Sequence, residues 1–161
     1  MPTAYRTGGA VASTGLLTDV DLVARNPLGS SVPGNDSLNG SAEFVYLQGA
    51  AAVIAGSVVI YDENGQAALV TALGMGPVAV ALGPVLAGQF GWFAVRGAFP
   101  VDGAANIADN GSLGFEGAAG RVGDGFAAGG VITGMIARGA TAGAAALVLA
   151  QLLYPWKSAA L

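Results

Sequence analysis

The longest uncharged stretch of the chain, residues 64–95, is interrupted by Pro77, Pro84 and glycines at 65, 74, 76, 83, 88 and 91. Proline removes a backbone donor and fixes φ, and glycine inside a helix costs about 0.5–1 kcal/mol relative to alanine. No long helix survives such punctuation. Two further uncharged stretches, 44–61 and 139–156, approach the ~18 apolar residues of a spanning helix, yet neither carries a Lys/Arg-rich flank. Met1-Pro2-Thr3-Ala4-Tyr5-Arg6 lacks the basic and apolar regions of a signal peptide. The expectation is a soluble, glycine-punctuated β protein.

Composition sharpens this. Thirty-three alanines and 27 glycines make up 60 of the 161 residues. A core of small side chains is thin, because each buried methylene contributes only ~0.8 kcal/mol. Burying surface against further copies, or against a larger assembly, is one remedy. The chain has no cysteine and no histidine. That excludes a disulfide framework, a Cys/His metal site and any triad built on His or Cys. Its six basic residues, Arg6, Arg25, Arg96, Arg121, Arg138 and Lys157, are scattered, and the net charge is −4. No basic patch exists to hold a phosphate backbone, so no nucleic-acid partner is expected.

Along the chain, residues 1–41 are polar and rich in turn dipeptides (Asn26-Pro27, Pro33-Gly34, Asn39-Gly40). They are too long for an ordinary loop and are expected to form an extended N-terminal arm. Residues 42–161 are expected to form a compact β domain. Glu43–Leu47 alternates, 57–61 is β-branched, and Asp62-Glu63-Asn64-Gly65 is a hairpin signal with 67–72 as its return strand. In 89–101 the alternation puts Phe93, Val95 and Phe99 on one face, a core face. It puts Trp92, Ala94 and Arg96 on the other, where they would meet a neighbour. Residues 130–138 alternate, and 144–154 reads as a closing strand stopped by Pro155.

Chemical motifs are weak. Gly123-Asp124-Gly125-Phe126-Ala127-Ala128 fits a dinucleotide fingerprint in letters only, since glycines rather than a strand and a helix surround it. Residues 35–46 resemble an EF-hand loop but place Tyr46 where a closing Glu is required. Paired acids such as Asp19/Asp21 and Asp62/Glu63 lie in polar surroundings and read as solvated. No catalytic residue, cofactor site or metal site is assigned.

The order of Ser41-Ala42-Glu43-Phe44-Val45-Tyr46-Leu47-Gln48, Val58-Val59-Ile60-Tyr61-Asp62-Glu63, Gly88-Gln89-Phe90-Gly91-Trp92-Phe93-Ala94-Val95-Arg96-Gly97 and a closing Leu153-Tyr154-Pro155-Trp156 resembles the capsid decoration, or head cement, proteins of tailed bacteriophages. The resemblance covers residues 41–156. It implies an all-β fold, a small β-barrel or β-sandwich of β-tulip-like form with an extended arm. It also implies a protein of the virion, assembled in the host cytoplasm, that binds the major capsid protein on the outer surface of an icosahedral shell. Such proteins, often trimers, brace neighbouring capsomers. No enzymatic activity, cofactor, metal, nucleic acid or membrane goes with it.

The contact residues expected for capsid or subunit binding are Tyr5, Arg6, Leu16, Leu17, Leu22 and Arg25 in the arm, with Trp92 and Arg96 from the β domain. A different class of function is a carbohydrate- or host-surface-binding β module of a virion, using Tyr61, Trp92 and Trp156 as stacking platforms. An enzyme working through Asp19, Asp21, Asp102 or Asp109 ranks last.

Overall fold

The computed structural model describes residues 4–6, 17–36, 40–126 and 130–158. The fold is all-β, as expected. Among the described residues twelve strands follow one another: β1 (Ala4–Arg6), β2 (Val20–Asp21), β3 (Ser31–Asp36), β4 (Gly40–Gly49), β5 (Val58–Tyr61), β6 (Gln66–Leu69), β7 (Gly76–Ala81), β8 (Phe90–Gly103), β9 (Ser112–Phe115), β10 (Val122–Gly123), β11 (Val131–Ala137) and β12 (Ala146–Lys157). No helix of the described residues is long and apolar enough to cross a membrane.

The 14-residue strand β8 organises the sheet. Its first half pairs with β4 and β7, and its second half runs beside β12. The pairings β4–β6, β6–β5, β5–β7, β7–β8 and β8–β4 return to their starting strand. A second circuit runs β8–β12–β11–β9–β10 and back to β8. The two circuits share β8.

A circuit of few strands encloses a narrow space, and that explains the alanines. Ala67, Ala79 and Ala81 point into the first circuit with Val45, Leu47, Val59, Phe93 and Val95. The opposite faces of the same strands present Phe44, Tyr46, Val58, Val78, Val80, Trp92 and Ala94 to a larger cluster shared with the second circuit. Strands buried on both faces read as continuous apolar runs rather than clean alternation, as 78–82 and 92–95 do here.

This corrects the face assignment in β8. Phe93 and Val95 lie in one cluster, but Phe99 lies in the other with Trp92 and Ala94. Gly97, at φ +114, falls between them, and the β4–β8 register shifts nearby, between Glu43 and Phe44. One out-of-register residue exchanges the two faces of a strand.

The hairpin at 62–65 forms as the sequence predicts. Gly65 donates to the Asp62 carbonyl at 3.0 Å and takes φ +73, and Val59 stands opposite Leu69. The closing strand also forms, but Pro155 does not end it. β12 continues to Lys157, with Trp156 opposite Thr133 on β11 and Pro77 on β7. Proline is tolerated in a strand at a bulge, and one lies here. Within the segment expected as an arm, the described residues 17–36 pair and pack with the sheet. β3 lies along β4, and Leu17 and Val32 are core residues.

Candidate interaction surface

The irregularity in β12 brings apolar side chains to the surface. From Met135↔Leu152 to Thr133↔Trp156 the register slips, and the slip falls at Gly134. Gly134 has φ +81, and a Cβ there would lie 2.6 Å from the Leu153 carbonyl oxygen. Tyr154 also takes a positive φ, 47°. The displaced residues Leu153, Tyr154 and Trp156 are exposed, while Lys157 beside them is 1% exposed.

Lys157 turns inward, where its Nζ donates to the carbonyls of Ala72 at 2.9 Å and Gly74 at 2.8 Å. These bonds tie down the loop between β6 and β7. The loop displays Met75 and Leu73, the latter 91% exposed. Gly74 packs on Ile60, where an added Cβ would approach Ile60 Cδ1 to 2.6 Å.

Between this loop, the β5–β6 hairpin and Trp156 lies an open groove of about 890 Å³. Ile60, Leu69, Pro77 and Met75 supply apolar walls, and Tyr61 and Trp156 supply aromatic ones. Asp62 and Glu63 supply the charge. The Asp62 Oδ1 accepts from the backbone N–H groups of Gln66 at 2.8 Å and Asn64 at 3.0 Å. The bond from Gln66 is the main reason its carboxyl sits below the usual range. Burial pushes the Tyr61 hydroxyl up. At neutral pH the groove therefore holds the Asp62 carboxylate and a neutral phenol. Its volume falls within the ~300–1,000 Å³ of ligand pockets.

At the other end of the exposed β12 run, Arg96 stands opposite both Leu153 and Glu43. The Tyr154 hydroxyl donates to Glu43 Oε2.

A second exposed element follows β2. Tyr46 is fully buried, and its hydroxyl donates to Asp21 Oδ2 at 2.7 Å and accepts from the Arg25 N–H at 3.2 Å. Arg25 Nε also pairs with Asp21 Oδ1 at 3.0 Å. This network holds a short loop from which Leu22 and Val23 project, 78% and 76% exposed. Desolvation raises the Tyr46 hydroxyl to about 12.

The sequence-predicted contact residues therefore separate. Leu22 and Arg25 share one loop, and Arg96 flanks the β12 run on another part of the sheet. Leu17 and Trp92 are core residues. Trp92 is 5% exposed, its ring 5.0 Å from that of Tyr46, because both faces of β8 are buried at this point. Trp92 thus offers no surface to a neighbour or a sugar. Tyr5 and Arg6 lie in β1, paired to Asn35 and Gly34. Leu16 lies outside the described residues. Of the three stacking candidates, Tyr61 and Trp156 both line the groove. Asp21 is taken up by Tyr46 and Arg25, and Asp102 pairs with Arg121 at 3.1 Å. Sequence reading missed Leu73, Met75, Leu153 and Tyr154. The broken alternation at Leu153-Tyr154-Pro155 was the available signal.

No protein-family model and no curated protein matches the chain. Among solved structures, the chain is similar to the head fiber gp8.5 N base of bacteriophage phi29. The TM-score is 0.52 at 16% identity, over 73% of this chain and 96% of that one. At that identity the likeness is one of fold.

Proposed function

We propose that this chain is a structural protein of a phage virion that sits on the outer surface of the head. There it binds the major capsid protein, and as a homotrimer it braces neighbouring capsomers. The observation that carries the reading is the shared all-β fold with a head fiber base, which spans nearly the whole of that domain. Two exposed apolar elements held by specific hydrogen bonds support it: the Leu22–Val23 loop and the Leu73–Met75 and β12 surface. A loop already held in place spares part of the entropy cost of ordering it on a partner.

The test mixes purified protein with capsids that lack it and follows binding by sedimentation. Deleting the first 25 residues is a poor probe, because it removes Leu17 from the core and takes Asp21 away from Tyr46. Leu22→Asp with Val23→Asp is the sharper one, since both side chains project from the fold. Capsid binding should fall with the melting temperature unchanged. Undiminished binding would remove this loop from the contact.

A carbohydrate- or host-surface-binding module is the second reading, favoured by Tyr61 and Trp156 lining one groove. A glycan array probed with the native chain and with Trp156→Ala separates the two. Binding that is lost in the variant supports the second reading.

A further inference from the structure

We propose that a second copy of this chain docks on the groove, setting its Arg96 guanidinium against Asp62 and Glu63 and its Leu153 and Tyr154 against Trp156 and Met75. This names the contact behind the homotrimer of the proposed function and rests on that part of the reading.

The argument begins with the cations. Arg25 pairs with Asp21, and Arg121 pairs with Asp102. Arg138 donates to the Asn110 side chain at 2.6 Å, and Lys157 is spent on two backbone carbonyls. Arg96 is exposed, and its guanidinium has no hydrogen bond or ion pair with another described residue. Glu43 stands opposite it, but the Glu43 carboxylate accepts from Tyr154.

Among the anions, Glu63 is exposed at the tip of the β5–β6 hairpin and is likewise without an ion pair to another described residue. It lines the groove beside Asp62, and among the described residues no cation lines it with them.

These two ends are joined by exposed apolar side chains, Leu153, Tyr154, Trp156 and Met75. The surface is therefore polarised, with an unpaired cation at one end, carboxylates at the other and apolar contacts between. The Arg96 end of one copy complements the groove end of another. Interface cores favour Trp, Tyr and Met, with Arg among the charged residues. A sugar would satisfy the carboxylates but leave the aliphatic rim of Leu73 and Met75 uncovered. The Arg96 end of one copy set on the groove of the next is a head-to-tail contact, which closes into a ring where the rotation between copies allows it and runs on as a filament where it does not.

The test is the mass of the full chain in solution by light scattering, for the native protein, Arg96→Glu, Glu63→Arg and the double variant. Both substitutions are at exposed positions, and circular dichroism checks the fold. Each single variant should weaken association at least ~10-fold, and the charge-swapped pair should recover most of that loss. Trp156→Ser should weaken it as well. A native protein that is monomeric at every concentration overturns the proposal, as does an oligomer indifferent to all three substitutions. Capsid binding is measured on the same variants. A charge-sensitive oligomer that fails to bind capsids counts against the proposed function and not against this contact.

Discussion

The Tyr46 hydroxyl lies 2.7 Å from Asp21 Oδ2 and links strand β4, at the centre of the core, to the loop that carries Leu22 and Val23. A phenol that is fully buried has few partners to choose from, and here it fixes an exposed loop. Tyr46→Phe leaves Asp21 and the Arg25 N–H without that partner, and should cost about 1.5–3 kcal/mol. Denaturant unfolding measures it, and hydrogen exchange should show faster opening at residues 21–25.

The same hydroxyl sets a pH dependence. It titrates near 12 in the folded chain against about 10 when unfolded. The unfolded chain therefore loses its proton first as pH rises. The stability that Tyr46 contributes is fully present below about pH 10 and is lost between about 10 and 12. Native Tyr46 should show this alkaline loss in thermal melts, and Tyr46→Phe should show less of it.

Gly134 is where β11 accommodates the slip in β12. At φ +81, and 2.6 Å from the Leu153 carbonyl to any added Cβ, it admits no side chain without movement. Gly134→Val should destabilise by about 2 kcal/mol or more. The variant should also withdraw Leu153 and Tyr154 from the surface, which the fluorescence of neighbouring Trp156 reports.

Lys157 contributes through two carbonyls. Lys157→Met keeps the length of the stem but leaves the Ala72 and Gly74 oxygens without their donor. A cost of about 1–3 kcal/mol is expected. Faster proteolysis within 71–75 than elsewhere in the chain would show that the bonds hold this loop.

Much of the architecture was legible in the residues because it is local. Asp62-Glu63-Asn64-Gly65 encodes its own turn, and the alternation of 43–47 and 130–138 encodes strands. What failed to read depends on contacts distant in sequence. Trp92 looks like a surface residue so long as β8 is given one buried face, and the closed circuits of pairing bury both. Phe99 changes side because Gly97 absorbs a shift that letters alone do not announce. Pro155 looks like a terminus, yet the bulge at Gly134 and Tyr154 lets β12 run past it. The groove draws on β5, β6, β7 and β12, so Tyr61 and Trp156, 95 residues apart in the chain, were readable as aromatic candidates but not as partners.

Placement on a phage head is the central claim, and electron microscopy of capsids lacking the protein, imaged with and without the purified chain, tests it most directly. The expected result is ordered additional density on the outer surface at symmetry-related positions, into which this β fold fits. Capsids that look the same in both preparations, at protein concentrations well above the number of available sites, would contradict it.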